Sequence, residues 1–350
     1  MNPQDPSSYR PISNLSFLSK VIEKVVDSRL SEHIDDHHLL PIIQSTYRPY
    51  HSTETAIVSI HNDMIEIVDQ GRIGALTLLD MSAAFDTVDH SILLEVLRRR
   101  FGIDGNALRW MAEFLNDRNY TVRVGSGESG DTMLRSGVPQ GSVLGPRLFT
   151  EYAEDVSLIF DRHNLHHHLF ADDMQSYCGG RPHDADAMVR HLECCVADVA
   201  DWCAAKRLQL NADKTELLWF GSTSLLRRLS PNTKAITVGR NVIKLTSCVR
   251  NLGVMFDSEL SMREHVSRVA QICFFHLRRL RSVRRQLGRE VTARLVSALV
   301  LSRLDYCNAI LSGLPMTTLA PLQRVLNTAA RIILDLRPGD HVTPAVRELH

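Results

Sequence analysis

The chain has 350 residues, of which 44% are hydrophobic and 23% charged; this excludes a disordered tail and is enough for two or three packed units. The net charge is 0, but residues 261–350 contain 14 Arg, no Lys and 6 acidic residues, so this segment is basic and the remainder acidic. Seven cysteines without a CxxC spacing disfavour a zinc ribbon and a disulfide framework. We therefore expect contact with a polyanion at one end of the molecule.

The first residues, MNPQDPSSYRP, lack the basic and apolar regions of a signal peptide. The longest apolar stretches are also shorter than a membrane span. These features predict a soluble, intracellular protein without a membrane partner, and they do not distinguish the nucleus from the cytoplasm.

The first half of the chain is predicted to begin with two helices. Apolar residues at helical spacing indicate a helix over 14–34, and a second helix fits 54–70. The run GALTLL at 74–79 is too short for a helix, so it predicts a buried strand that ends at Asp80. The elements expected next are helices at 92–101 and 107–116, a hairpin of 120–124 with 132–135, and a helix at 148–160.

The second half is predicted to begin with a tight hairpin, in which strands 166–170 and 174–177 flank Ala171-Asp172-Asp173. The elements expected after it are a helix at 185–205, strands at 214–220, 235–238, 242–245 and 252–256, and helices at 262–286, 291–311 and 318–334. The chain is thus predicted to be an α+β body of about 260 residues followed by a basic helical domain.

Three acidic residues are candidates for a metal site. A carboxylate at the end of a buried strand, as at Asp80, is well placed to bind a cation, although the same residue can serve as a turn or helix cap. Asp172 and Asp173 repel each other at a hairpin tip unless a cation lies between them, and the alternative is a solvated turn. Three carboxylates from neighbouring strands would be the right number for two Mg²⁺ ions.

Two further patterns, a loop and a histidine cluster, are candidates for binding sites. Gly and Pro punctuate the loop GVPQGSVLG at 137–145, where the backbone can approach a ligand closely and Gln140 offers both a donor and an acceptor; the alternative is a simple turn. A histidine cluster at His163, His166, His167 and His168 lacks the other ligands of a zinc site, so we do not expect it to bind metal.

Together these motifs form a recognisable series. The ordered segments LDMSAAFDTVDH, GVPQGSVLGP, FADD, NADKTE and NLGVMFD resemble those of reverse transcriptases from non-LTR (LINE-type, jockey-like) retrotransposons. The segments SYRPISNLSFLSKVIEKVVDSRL, QSTYRPYHST and RIILDLRPGDHVTPAVRELH resemble the opening segment, the fingers motif and the thumb end of that family. The resemblance therefore covers nearly the whole chain.

The resemblance implies a right-hand polymerase fold with fingers, a palm built on an antiparallel sheet, and a helical thumb. The implied boundaries are fingers at 1–72, a palm at 73–257 with a fingers insertion near 99–136 and a primer-grip hairpin near 235–257, and a truncated thumb at 261–350. The implied function is that of an RNA-directed DNA polymerase core, which adds dNTPs to a DNA primer on an RNA template. The family's upstream endonuclease domain has no counterpart in this sequence.

The resemblance also implies a role for individual residues. Asp80, Asp172 and Asp173 would bind two Mg²⁺ ions, for which Mn²⁺ could substitute, and Lys214 would protonate the leaving pyrophosphate. The residues implied to bind the nucleotide are Phe85 beneath its sugar, Gln140, Gly141, Arg10 and Arg48. Without the family, Phe85 could equally be a core residue, the two arginines surface residues, and Lys214 a solvated loop residue.

The basic helix of the implied thumb contains Arg278, Arg279, Arg281, Arg284 and Arg285. These arginines would line the backbone of an RNA–DNA hybrid and give salt-sensitive affinity without sequence specificity. The alternative is a solvated helix face.

Several positions depart from the family pattern. A bulky residue at Tyr50 is expected to be strained if the fingers motif needs a left-handed turn there. Arg147, Thr150 and Glu151 place polar groups on a helix expected to be half buried, at a cost in stability. Such departures leave open an alternative function as an inactive remnant that binds RNA or a hybrid, or as a decayed fragment of an element.

Overall fold

The computed structural model of the protein describes residues 11–230, 233, 235–238, 241–337 and 340–349. Arg10 lies outside the described residues, so its predicted role has no structural counterpart here. The α-helices are α1 (Phe17–Asp36), α2 (Thr53–Asp69), α3 (His90–Phe101), α4 (Gly105–Leu115), α5 (Leu144–Tyr152), α6 (Ser157–Arg162), α7 (Ala185–Ala205), α8 (Thr223–Leu226), α9 (Arg263–Val296), α10 (Ser302–Asp305), α11 (Met316–Leu334) and α12 (Thr343–Leu349).

Strands form one central sheet and several two-stranded ladders. The central sheet is antiparallel, with strand order β6-β7-β1-β8. Its strands are β1 (Ile73–Leu79), β6 (His166–Phe170), β7 (Asp173–Gly180) and β8 (Glu216–Phe220). The smaller ladders pair β2 (Asn119–Tyr120) with β5 (Thr132–Met133), β3 (Arg123–Val124) with β4 (Gly127–Glu128), β9 (Ala235–Val238) with β10 (Asn241–Lys244), and β11 (Cys248–Asn251) with β12 (Val254–Asp257).

Both faces of the central sheet are covered along most of its length. Side chains on one face, including Ala75 and Trp219, join the larger core, which also contains buried residues of α3, α5 and α7. Side chains on the other face, including Leu76 and Tyr177, pack with α2 and the β11–β12 hairpin. Strand β1 is therefore largely apolar on both faces, as the sequence GALTLL indicates. The exposed residues of the sheet, His166, Asp173 and Gly179, lie at or next to strand ends.

The C-terminal helices form a third core. Buried residues of α9 and α11, such as Cys273, Leu277 and Val325, face each other there. Gly288 interrupts α9 with φ +70° and ψ 173°, which corresponds to the break expected between 286 and 291. Long helices at 262–286 and 318–334 were therefore predicted correctly.

Two predicted helices are broken, and one strand was not predicted. The expected helix over 291–311 ends with α10 at Asp305, and a separate 3₁₀ turn covers Asn308–Leu311. The expected helix over 148–160 is broken: α5 ends at Tyr152, a 3₁₀ turn covers Glu154–Val156, and α6 follows. The break coincides with two outside contacts, because Glu154 pairs with Arg100 and Asp155 accepts a hydrogen bond from Trp202 Nε1 at 3.0 Å. Strand β11 was not predicted, because its short pattern of buried Val249, exposed Arg250 and buried Asn251 carries little apolar signal.

Helix α1 is present, but most of its apolar face is exposed. Leu18, Val21, Ile22 and Val25 are 41–67% exposed, while Leu30 is buried. The apolar spacing thus predicted the helix correctly and did not identify the side that packs on the core. No helix in the described part of the chain has the length and apolar character needed to span a membrane.

The polar residues of α5 differ in how they are accommodated. Arg147 Nε donates to Asp27 Oδ1 at 2.5 Å, and Thr150 Oγ1 donates to the carbonyl of Pro146 at 3.1 Å. Glu151 is 0% exposed, and neither carboxyl oxygen has a hydrogen-bond partner. Burial raises the pKa of Glu151 to about 8, a shift that Arg147 opposes and Asp27 supports. The expected cost in stability is therefore concentrated at Glu151.

We predict that Glu151→Gln stabilises the protein in a pH-dependent way. In the folded state the carboxyl keeps its proton up to about pH 8, whereas in the unfolded chain it loses the proton near its ordinary pKa of 4.5. Because the folded state binds more protons in this window, stability is full below pH 4.5 and is lost as the pH rises towards 8. The variant should match the parent at pH 4.5 and exceed its unfolding free energy by about 2–5 kcal/mol at pH 8.

Urea unfolding at both pH values measures this difference. Glu113→Gln is a matched control, because Glu113 is an exposed residue of α4. Parallel pH profiles for the parent and Glu151→Gln would contradict the assignment of the cost to this carboxyl.

Candidate active site

Two carboxylates meet at one end of the central sheet. The antiparallel register pairs Leu79 of β1 with Met174 of β7, so the next positions along it are Asp80 and Asp173. Directly opposed residues of an antiparallel pair point to the same face, with Cβ atoms about 4.5–5.5 Å apart. The sheet register therefore brings together two of the three predicted acidic residues.

The third carboxylate belongs to the turn that joins β6 to β7. Phe170 pairs with Asp173, which leaves Ala171 and Asp172 as a two-residue hairpin loop. Ala171 adopts φ +56°, a left-handed conformation that favours glycine and is strained for alanine. Strain of this kind persists only where surrounding contacts hold it, and it is concentrated at functional sites.

The charges at this end of the sheet interact. Partial burial is the main cause that raises the pKa of Asp173 to about 6, and the charges of Asp172 and Asp80 add to it. The charge of Lys214 acts in the opposite direction. Lys214 Nζ lies 3.0 Å from Asp80 Oδ2. That oxygen is buried and no hydrogen bond of good geometry reaches it, so the ammonium gives mainly electrostatic compensation.

The donor set fits a divalent cation in its chemistry. In the described residues no three His, Cys, Asp or Glu side chains are gathered closely enough to hold a metal ion. Burial raises the pKa of Asp173, and repulsion from Asp172 and Asp80 raises it further. A cation would relieve this repulsion and would give the buried Asp80 Oδ2 a partner. Carboxylate oxygens are hard ligands that suit Mg²⁺. The three side chains would have to move closer to one another to bind it.

Lys214 is positioned by a segment that runs beside the end of β1. Ser82 N donates to the carbonyl of Gln209 at 2.8 Å, and Asn211 N donates to the carbonyl of Asp80 at 2.8 Å. Lys214 itself is largely exposed apart from its contact with Asp80. The structure thus brings Lys214 into direct contact with Asp80, another of the predicted catalytic residues.

The loop at 137–145 packs against the segment that follows Asp80. Gly137 N donates to the carbonyl of Val88 at 2.8 Å, and Val138 N donates to the carbonyl of Phe85 at 2.8 Å. A Cβ on Gly137 would lie 2.9 Å from the carbonyl oxygen of Asp86, so only glycine fits there. Gln140 Nε2 donates to Asp86 Oδ1 at 2.7 Å, and Gly141 adopts φ +96°.

Helix α1 stabilises the end of this loop through a buried carboxylate. Glu23 is 1% exposed, and its Oε2 accepts hydrogen bonds from Val143 N at 2.7 Å and Leu144 N at 3.3 Å. These are backbone donors at the N-terminus of α5, where a negative charge is favourable. Glu23 was not predicted from the sequence. A helical pattern does not show whether a carboxylate caps a different helix or faces solvent.

Phe85 is a half-buried residue beside this loop. Its ring stacks on Phe149 of α5 with centroids 4.6 Å apart. It lies in a 3₁₀ turn, Ala84–Asp86, that follows the left-handed Ala83 at φ +48°. This packing is compatible both with the predicted nucleotide contact and with the alternative of a core residue.

The fingers motif, residues 44–53, lies close to the Ala171–Asp172 turn. Arg48 is half-buried and its Nη1 donates to the carbonyls of Pro41 at 3.4 Å and Ile42 at 3.2 Å, so part of its donor fork is used within the protein. Tyr50 adopts φ +63°, so the expected left-handed strain is present, and its side chain is fully exposed. Partial burial and the charge of Asp172 raise the pKa of Tyr47, which indicates that Tyr47 lies near the acidic group.

The predicted primer-grip segment contains two hairpins. The strand predicted at 252–256 begins later, at Val254, because Leu252-Gly253 form the turn of the β11–β12 hairpin. Tyr306 supports its tip by donating from Oη to the carbonyl of Leu252 at 2.6 Å. The β9–β10 hairpin precedes it in the chain.

The five arginines of α9 do not share one environment. Arg278, Arg279, Arg281 and Arg285 are exposed, and Arg279 lies 5.6 Å above the ring of the exposed Phe275. Arg284 is different: its Nε and Nη2 each donate at 2.8 Å, to the carbonyls of Ile332 and Ile333 near the end of α11. Arg284 thus joins two helices, and the role of the five arginines in binding a nucleic acid stays a prediction.

The histidine cluster is divided among separate contacts. His163 Nε2 and Asp198 Oδ2 are 2.8 Å apart, whereas His168 Nε2 lies 2.9 Å from Ser45 Oγ. His166 stacks on Tyr177, and His167 on Phe160. Each ring thus has its own structural partner.

Comparison with known proteins identifies one matching family model, described as "Reverse transcriptase (RNA-dependent DNA polymerase)", over residues 2–256. One relative, the probable RNA-directed DNA polymerase from transposon BS of Drosophila melanogaster, is 28% identical over 79% of this chain and 30% of its own length. Another, the RNA-directed DNA polymerase from mobile element jockey of the same organism, is 25% identical over 77% and 29%. The chain thus spans about a third of the length of these relatives.

Among solved structures, apo telomerase from Candida tropicalis matches 89% of this chain and 55% of its own, with 12% identity and a TM-score of 0.47. A second structure, telomerase from Candida albicans with a fragment of telomeric RNA, matches 95% and 56%, with 12% identity and a TM-score of 0.43.

Proposed function

Since the chain belongs to the reverse transcriptase (RNA-dependent DNA polymerase) family, we propose that it extends a DNA primer with dNTPs on an RNA template. The observation that supports this most directly is that Asp80 and Asp173 directly follow the last pair of the β1–β7 register, Leu79 and Met174, with Asp172 in the adjoining turn. Acidic residues at a sheet end suit the two-metal transfer of a nucleotidyl group.

Asp80, Asp172 and Asp173 would hold two Mg²⁺ ions, with Mn²⁺ as a substitute. When bound, such ions lower the pKa of an attacking hydroxyl and offset the charge of the phosphates. The primer 3′-hydroxyl loses its proton to solvent and its oxygen forms a bond to the α-phosphorus. The bond from that phosphorus to the bridging oxygen of the β-phosphate breaks, and pyrophosphate leaves. Lys214 Nζ, which is 3.0 Å from Asp80 Oδ2, is then a suitable donor of a proton to the leaving pyrophosphate.

The nucleotide would lie between Phe85 and the loop that contains Gln140 and Gly141. The stacking of Phe85 on Phe149 gives a rigid ring that would clash with a 2′-hydroxyl. Gly141 at φ +96° would let the backbone approach the templating pair. Arg48 would reach the triphosphate with the donors that the carbonyls of Pro41 and Ile42 leave available, and Arg10 is proposed for the same role from the sequence alone.

We also propose the division into fingers, palm and thumb at the boundaries inferred from the sequence, 1–72, 73–257 and 261–350. The exposed Arg278, Arg281 and Arg285 would contact the RNA–DNA hybrid through its phosphates. The names of the transposon relatives favour an origin in a non-LTR retrotransposon.

We expect Asp172→Ala and Asp80→Ala to reduce primer extension by at least 10³-fold, because each removes a ligand of the proposed metal site. The assay is extension of oligo(dT) on poly(rA) with dTTP, with and without Mg²⁺. Asp131→Ala, in the exposed loop between β4 and β5, is the matched control and should extend like the parent.

Extension that is unchanged in Asp172→Ala would refute the site. A folded parent protein that binds the hybrid but does not extend it would refute the proposed activity in favour of an inactive remnant.

We expect Phe85→Val to admit ribonucleotides. Removing the ring opens space for a 2′-hydroxyl, so the preference for dTTP over UTP should fall by about 10- to 100-fold. Single-nucleotide incorporation gives the two values of kcat/KM. Phe114→Val is the control, because Phe114 is also half-buried and stacks on Trp110 in α4; equal selectivity in the two variants would argue that Phe85 is only a core residue.

We expect the arginines of α9 to separate into two classes. Arg278→Ala, Arg281→Ala and Arg285→Ala should each reduce the slope of log K against log salt by about 1, since each would lose one phosphate contact. Arg284→Ala should leave the slope unchanged and lower the unfolding free energy by about 1–3 kcal/mol, because two carbonyls of α11 lose their donor. Fluorescence anisotropy with a labelled hybrid and urea unfolding measure the two effects, and a changed slope for Arg284→Ala would contradict the distinction.

A further inference from the structure

The segment Gln44–Thr46, the first part of the fingers motif at 44–53, runs beside the edge of the central sheet. Leu169 N donates to the carbonyl of Ile43 at 3.1 Å, and Ser45 N donates to the carbonyl of Leu169 at 3.1 Å. Gln44 and Leu169 thereby form a parallel bridge. The segment is thus attached to β6 two residues before the Ala171–Asp172 turn.

The side chain of Gln44 reaches the turn itself. Gln44 is 3% exposed, and its Oε1 accepts hydrogen bonds from Thr46 N at 3.1 Å and from Ala171 N at 3.4 Å. One buried amide oxygen therefore joins the backbone of the fingers motif to the first residue of the acidic turn. The bond to Ala171 is long and would be weak alone, but buried donors seldom remain without a partner.

Ser45 adds a second attachment on the other side of the bridge. Its Oγ lies 2.9 Å from Nε2 of the buried His168. Burial, with smaller contributions from His167 and His51, lowers the pKa of His168 to about 4, so the ring is neutral at pH 7. The end of β6 is therefore held by backbone and side-chain bonds from one short segment.

Ala171 needs such support, because its φ of +56° is unfavourable for alanine. A change of φ at Ala171 would redirect the next residue, Asp172. We propose that Gln44 is a positioning residue, which holds the turn so that Asp172 faces the same site as Asp80 and Asp173. This inference rests on the proposed function, and it assigns Gln44 a control over cation affinity and over kcat.

Gln44→Met tests the proposal, because methionine fills a similar volume without an amide oxygen. We expect the Kd for Mn²⁺, measured by electron paramagnetic resonance with primer–template present, to rise by about tenfold. We expect kcat to fall by about 10- to 100-fold with little change in the KM for dTTP, since only the geometry of one ligand is altered. If Gln44→Met does not fold, Gln44→Asn keeps the amide but withdraws its oxygen, and the same changes are expected.

Gln175→Met is the matched control. Gln175 is 1% exposed in β7 of the same hairpin, but its Oε1 has no hydrogen-bond partner. Its loss should alter thermal stability while the Kd for Mn²⁺ stays at the parental value.

Rescue distinguishes positioning from a merely structural role. Glycine adopts positive φ without strain, so Ala171→Gly combined with Gln44→Met should recover most of the lost Mn²⁺ affinity and kcat, relative to Ala171→Gly alone. The proposal is overturned if Gln44→Met has the parental Mn²⁺ affinity and kcat, or if Ala171→Gly recovers neither. Failure of the proposed function is recognised separately, because Asp172→Ala would then leave both the Mn²⁺ affinity and extension at parental values.

Discussion

Repulsion between carboxylates at the end of the central sheet is the constraint around which the site is built. Asp80 and Asp173 directly follow the last pair of the β1–β7 register, and Asp172 lies in the turn that precedes Asp173. Like charges near one another disfavour ionisation. Burial and, after it, the charges of Asp172 and Asp80 raise the pKa of Asp173. Lys214 offsets part of this cost, and a bound cation would offset more. A fold that keeps these charges together must supply the energy from its packing elsewhere.

That packing comes from the two cores on either side of the sheet. The apolar residues of β1 are buried on both faces, so the strand cannot shift its register without exposing them. Polar side chains then join the surrounding loops to this rigid frame. Glu23 caps the start of α5, Gln140 bonds to Asp86, and Gln44 bonds to the acidic turn. Each is a buried or half-buried group that is satisfied by backbone or by another loop.

The predictions made from the sequence succeeded where the signal is local. The α+β right-hand fold and the resemblance to non-LTR reverse transcriptases are confirmed by the family match and the transposon relatives. Helix α7 was predicted to the residue, because its apolar period is regular over 21 residues. The predictions were wrong where contacts from distant elements decide: the helix over 148–160 breaks at Ala153, and the apolar face of α1 is exposed. The catalytic and nucleotide-binding roles remain proposals.

The sequence by itself determined the family, the order of the elements and the identity of the acidic residues, because motif spacing and hydrophobic period are properties of neighbouring residues. The sequence also contained a signal for Arg284. It lies seven residues after the buried Leu277 and four after the buried Leu280, so it shares their face of α9. Only the tertiary structure decided that Arg284 bonds to α11, that Glu151 has no partner, and that Gln44 reaches Ala171, 127 residues away. Such partners depend on where the chain returns in space, and no local pattern encodes that position.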